Sequence, residues 1–529
     1  MNRIILLAVF FSLIYNTAAL SVSQTITNDS FWNTVNGEPI YSQGGGIFKF
    51  THPKTGNPTY FWYGVHYEEA EAYRKDPSVT QQGNRFKAVT CYSSTDLVNW
   101  TYESDALSAE TVINATGSRR LGWLGRMGVA YVKEANAYVL IIQHNSRVLF
   151  AVADNPLGPF KWQHQKDMTS WIGTPNTGDQ TVFNDEDTGK SYLVYSYGRG
   201  RNKIYLSEIG LKNDSLTLLG FKEVFRGAGR EGNCLFKYKG KYYLAASDLY
   251  GWDGSYAYYL VADDIMGPYK PTNNMLVMEG CESDYAHVSQ TGFFYTVRGT
   301  KAETVIFCGD RWSDFAGNGL GYNQWCPLSF KGDVPYFNSL NAWKLDAVTG
   351  EWSVAPGNNY VLNPSFEADR KAMPSPVKPV QTRLLGWETT VLKGTPISLD
   401  SLSPKLNRSN TREDRLSVVG EHSLYISDRV DFARQVHQRV ASTPYVKLED
   451  GRYVLTAKIK NDTGFKRLEM YALSGGQRKS VAVTAENNSW TTLRLEGINV
   501  TGGVVEVGFL AEGNPNAWCA VDDVWLVKE

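Results

Sequence analysis

Two carboxylates stand at matching places in this chain. Glu231, in Arg230-Glu-Gly, comes just before an aromatic-rich strand, and Asp179, in Gly178-Asp-Gln, holds the equivalent place one repeat earlier. A carboxylic acid whose pKa is raised can donate a proton near neutrality. Taken alone, Glu231 also reads as a surface Glu beside an Arg, and Asp179 as an ordinary turn residue. The second resource is aromatic: 31 Tyr, 23 Phe and 15 Trp among 529 residues. Ring faces stack on the C–H faces of sugars, although most rings in any fold serve as core. The six cysteines form no Cys-x-x-Cys pair, so a zinc knuckle or a thioredoxin-type redox motif is not expected. They read as buried thiols, with one disulfide among Cys234, Cys281, Cys308 and Cys326 as the alternative.

The elements that must position these groups are repetitive. A turn followed by an aromatic-rich strand recurs at Pro58–Gly64, Asn136–Gln143, Gly189–Ser196, Gly240–Ser247 and Glu303–Asp310. A second element also recurs, Ala153-Asp-Asn-Pro-Leu-Gly-Pro-Phe160 against Ala262-Asp-Asp-Ile-Met-Gly-Pro-Tyr269. Each unit has room for a four-stranded sheet. Small sheets that cannot bury both faces alone stack radially, so the reading is a five-bladed β-propeller, with a repetitive sandwich array as the alternative. Beyond residues 352–358 the pattern changes to polar/apolar alternation, as in Arg452–Lys460 and Val504–Leu510. That periodicity predicts a β-sandwich, a jelly roll. The fold class is therefore all-β. The expected domains are an export signal over 1–20, the propeller over 21–350 and the sandwich over 356–529.

Other properties narrow the function. Lys+Arg total 53 against Asp+Glu 54, so no basic footprint for nucleic acid exists. Arg3, the apolar run Ile4–Tyr15 and Thr17-Ala-Ala19 read as a cleavable export signal. No later run approaches 18 apolar residues, so no membrane attachment is expected after cleavage. The expected location is the periplasm or outside the cell.

The first region resembles glycoside hydrolase family 43, in its exo-β-1,3-galactanase branch. The likeness is carried in order by Gln43-Gly-Gly-Gly-Ile47 with Tyr60-Phe-Trp-Tyr-Gly64, Gly178-Asp-Gln-Thr-Val-Phe183 with Asp185-Glu-Asp-Thr-Gly-Lys190, Arg230-Glu-Gly-Asn-Cys-Leu-Phe236, Gly251-Trp252, Ser289-Gln-Thr291 and Gly309-Asp-Arg-Trp312. The region after it resembles a carbohydrate-binding jelly roll, through Asn363-Pro-Ser-Phe-Glu367 and Val521-Asp-Asp-Val-Trp525.

The resemblance implies an inverting exo-hydrolase that releases galactose from β-1,3-galactan, with a polysaccharide or oligosaccharide as partner and no cofactor for catalysis. It implies Glu231 as general acid and Asp179 as the carboxylate that orients it and raises its pKa. Most of the family has an Asp on the first strand of blade one, where this chain has Gln43-Gly-Gly-Gly. The branch shares that loss and uses a Gln matching Gln290, which would hold the attacking water or act through its imidic-acid tautomer. Asp284, Glu282 and His287 are rival bases. The branch also carries Glu-Arg-Pro in blade two; here Arg126 matches but Gly125 replaces the Glu. Gln43, Arg126, Asn202, Trp252, Tyr322 and Trp325 are the expected substrate contacts. In the second region Glu367 and Asp523 are candidate ligands for a structural calcium. Trp387, Tyr471 and Trp518 there are candidate sugar platforms. An α-L-arabinofuranosidase, a β-xylosidase or a non-catalytic glycan binder are the rival functions.

Overall fold

The computed structural model describes residues 24–529 except 77–80, 82, 145, 250–254, 282–288, 314–317, 367–383, 397–404 and 407–422. The expected export signal thus lies outside the described residues. The described chain is all-β, with strands throughout and only short helices at Ala70–Lys75, Ala109–Thr116 and Thr169–Ile172, plus one 3-10 turn.

Five antiparallel sheets follow one another along the first 337 residues, each built from consecutive strands. Four of them have four strands and the third has five. Their innermost strands are Gln43–Thr51, Gly125–Val132, Thr177–Asp185, Glu231–Tyr238 and Gln290–Arg298. Each inner strand packs beside the next, and the fifth lies against the first. The second strands are runs of aromatic and β-branched residues, which suit a pleated surface covered on both sides. Thr59 to Tyr67, for example, is buried at every position. Apolar clusters fill the gaps between sheets. Tyr192, Val194, Leu244 and Leu260 join the third and fourth, and Phe236, Tyr243, Phe294 and Phe307 join the fourth and fifth. Trp62, Trp100 and Trp325 pack together between the fifth and the first. A small sheet ties the ends of this region, pairing Thr25–Thr27 with Ala342–Leu345. Asn28 adds two bonds, its Nδ2 donating to the carbonyls of Trp325 and Leu340 at 2.7 Å each.

Later strands alternate instead. Gly451–Asn461 buries every second residue, the signature of a sheet with one apolar face. Two five-stranded sheets, one centred on Val504–Gly513 and the other on Trp518–Lys528, share a single buried apolar cluster. Within it Arg434 is fully buried and donates to Asp428 at 2.6 Å. All six cysteines are buried and free, so the alternative of a disulfide does not hold.

Candidate active site

Each of the five inner strands has a register shift close to its first residue. Such a bulge puts two residues opposite one and turns a side chain out of the regular alternation. The shifts fall at Gln43/Gly46, Gly125/Met127, Thr177/Gln180, Glu231/Cys234 and Thr291/Phe293. Gly44, Arg126 and Gly232 take left-handed backbone there, with φ of 61°, 41° and 60°. The strand starts thereby converge on one cavity of about 350 Å³, whose lining includes Gln43, Trp123, Arg126, Asp179, Arg201, Glu231, Gln290 and Trp312.

The polar groups interlock. Glu231 Oε1 accepts from Gln290 Nε2 at 2.8 Å, and Oε2 accepts from Arg201 Nη1. Asp179 Oδ2 accepts from the Gly232 N–H at 2.9 Å, so it braces the backbone next to Glu231. Asp179 also faces two cations: Arg126 Nε lies 3.3 Å from Oδ2 and Arg201 Nη2 lies 3.5 Å from Oδ1. Burial by itself would raise the Asp179 carboxyl, but Arg201, Arg126 and the Gly232 N–H outweigh it and hold it below its ordinary range.

Gln290 Oε1 accepts two bonds, from Arg126 Nη2 and Trp312 Nε1, each at 2.7 Å. This bears on the tautomer. An imidic acid carries its hydroxyl on that oxygen and would direct an O–H at two N–H donors that have nothing to accept with. The site favours the plain amide.

Arg126 is the hub. Besides Asp179 and Gln290 it donates from Nη1 to Asp310 Oδ2 at 3.1 Å, and its guanidinium sits 5.7 Å from the Trp312 ring centre. Asp310 Oδ1 accepts from the Gly44 N–H at 3.1 Å. Asp310 is fully enclosed, and burial pushes its carboxyl up, partly countered by Arg126 and the Gly44 N–H.

The expected substrate contacts divide. Gln43 and Arg126 line the cavity. Asn202 does not: it is exposed, and its neighbour Arg201 is the residue facing in. Trp325 is fully buried among Trp32, Trp62 and Trp100, so it is core and not a sugar contact. Trp252 lies outside the described residues, as do the side chain of Tyr322 and the rival bases Glu282, Asp284 and His287. At Gly125 an added Cβ would lie 2.5 Å from Cζ2 of Trp123, so the indole occupies the space a side chain at 125 would enter. Arg201, Asp310 and Trp123 were not singled out from sequence. Gly309-Asp-Arg-Trp312 contains Asp310, whereas no motif quoted above contains Arg201 or Trp123.

In the second region Trp387 and Tyr471 are buried, which removes them as open platforms, and Trp518 stacks on Tyr425. Glu367 lies outside the described residues. Asp523 Oδ1 accepts from the Trp525 indole at 2.5 Å, and no group of three acidic, His or Cys side chains fit for a metal occurs among the described residues.

Residues 71–321 match the family described as Glycosyl hydrolases family 43. Among solved structures, an exo-β-1,3-galactanase from Phanerochaete chrysosporium, determined with β-1,3-galactotriose, is 20% identical and has a TM-score of 0.53. The match covers 95% of this chain and all of that one. An exo-β-1,3-galactanase from Clostridium thermocellum is 19% identical over 96% of this chain and all of that one, with a TM-score of 0.53. At these identities the likeness is one of fold. No curated protein matches the chain.

Proposed function

We propose, from the match of residues 71–321 to Glycosyl hydrolases family 43, that the chain is an exo-acting, inverting β-1,3-galactosidase that releases galactose from the end of β-1,3-galactan. The observation that carries the reading is the convergence of Asp179, Glu231, Gln290 and Arg126 on one cavity of about 350 Å³. That size lies within the range of about 300–1,000 Å³ typical of small-ligand clefts. The galactanase structures of like fold support the choice of sugar.

In this mechanism Glu231 protonates the glycosidic oxygen as the bond to the anomeric carbon breaks. A water attacks that carbon from the opposite face, and its proton passes to solvent. The oxocarbenium-like transition state asks little deprotonation of the water, so positioning by the Gln290 amide suffices. Arg201, exposed enough to move, yields its place on Glu231 Oε2 to the incoming sugar. Asp179, kept ionised, opposes a second negative charge on Glu231 and favours its acid form.

The five sheets are read as propeller blades, supported by the cyclic contacts of their inner strands. The two later sheets are read as a β-sandwich that buttresses the propeller or binds glycan, supported by their shared core. The first 20 residues are read as an export signal to the periplasm or beyond.

The test is product analysis on β-1,3-galactobiose, an aryl α-L-arabinofuranoside and an aryl β-xyloside. Galactose from the first alone, appearing as the α-anomer by NMR, is the expected result, and Glu231→Gln should abolish it. Release of arabinose or xylose instead, or no hydrolysis of any β-galactan, would overturn the reading.

A further inference from the structure

The chain lacks the blade-one Asp found in most of the family it resembles, yet the space beside Gly44 is not empty of charge. Gly44 is bulged, with φ of 61°, and its N–H points at Asp310 Oδ1 from 3.1 Å. Asp310 comes from the second strand of the fifth sheet, directly opposite Gln290 in the register. Its other oxygen takes Arg126 Nη1 at 3.1 Å, while Nη2 of the same guanidinium reaches Gln290 at 2.7 Å and Nε faces Asp179 at 3.3 Å. Asp310 does not itself line the cavity; it reaches it through two residues that do, Arg126 and the Gly44 N–H.

We propose that Asp310 is a positioning residue, the carboxylate that stands in for the absent blade-one acid by fixing the Arg126 fork, which in turn holds Gln290 and Asp179. The proposal rests on the galactosidase reading above. The glycine run has a physical reason on this view. A Cβ at Gly45 would fall 1.6 Å from the Tyr63 carbonyl oxygen, so only glycine lets the strand fold in close enough to present the Gly44 N–H. A planar fork with three nitrogens each committed to a different partner has one orientation, and Asp310 fixes the deep end of it. The charges facing Asp310 are Arg126 and Asp179, and it lies near the Tyr67 hydroxyl and the Cys308 thiol.

The test is the pH profile and the kcat–KM split of Asp310→Asn on β-1,3-galactobiose. Asn keeps the shape and the acceptor for Gly44 but removes the charge. The expected result is a fall in kcat of about tenfold or more, with KM changed less than about threefold. With one negative charge gone and Arg126 less compensated, ionised Glu231 is stabilised. The alkaline limb of kcat should therefore move to lower pH. Arg126→Lys keeps the charge but loses the fork, so kcat should fall while the limb stays. Wild-type kcat and an unmoved limb in Asp310→Asn would overturn the proposal. Should that variant not melt cooperatively, full kcat in Arg126→Lys would overturn it instead. A wild type silent on every β-galactan sinks the galactosidase reading, whereas an active wild type matched by Asp310→Asn in kcat and alkaline limb sinks this proposal alone.

Discussion

Trp312→Phe separates two roles for Gln290, because they predict opposite signs. The indole N–H donates to Gln290 Oε1 at 2.7 Å, and among the described residues Arg126 supplies the other bond to that oxygen. Phe keeps a ring near the guanidinium, which sits 5.7 Å from the indole centre, so the cation–ring contact largely survives. What is lost is one buried neutral hydrogen bond, worth about 0.5–1.5 kcal/mol. If that bond serves to orient the amide in the transition state, the loss reads as about a 2- to 12-fold fall in kcat at 1.36 kcal/mol per decade. If Gln290 instead acted as an imidic acid, its O–H would be freed from one opposing donor, and kcat would hold or rise. The assay is steady-state release of galactose from β-1,3-galactobiose, with melting temperature as a control for packing around the smaller ring. An increase in kcat with an unchanged melting temperature would refute the amide argument.

Three further outcomes follow from packing and charge. Gly45→Ala drives a Cβ into the Tyr63 carbonyl, which cannot step aside, so urea unfolding should show a loss of about 1–3 kcal/mol together with a fall in activity. Asp428→Asn strands the fully buried Arg434 without a counter-charge; a loss of about 3–5 kcal/mol in the stability of the second region is expected, read as a lower denaturation midpoint. The Asp187 carboxyl is drawn down to about 2 by hydrogen bonds from Arg298 and Lys237. A depressed carboxylate stabilises above its unfolded value and ceases to as pH falls through the folded one, so Asp187→Asn should melt below wild type at pH 7 and match it near pH 2.

Much of the site was legible because chemistry and repeat coincide: Asp179, Glu231 and Gln290 each stand at the head of an inner strand, and the recurring turn-and-strand signature locates those heads. Side-chain direction was not legible. At Arg201-Asn202 the choice of which residue faces the cavity depends on the left-handed φ of 51° at Arg201, which composition does not encode. Trp325 shows a different limit. Its sheet is buried on both faces, so an aromatic there carries no alternation to tell core from cleft. In the second region alternation is clear, yet Tyr471, on the polar side of its strand, is covered by Arg478 and bonded to Gln435 and Glu506. That the Trp123 indole lies against Gly125 follows from the folding of the loop before the strand, which residue types alone do not encode.

Because the reactive groups ride on one-residue slips at the heads of otherwise regular ladders, the molecule separates what it does from what keeps it folded. Each slip behaves as a socket that can be refitted alone, since the ladder below resumes its pairing within a few residues. Divergence in this architecture should accumulate at five short addresses, while the aromatic seams between sheets change slowly.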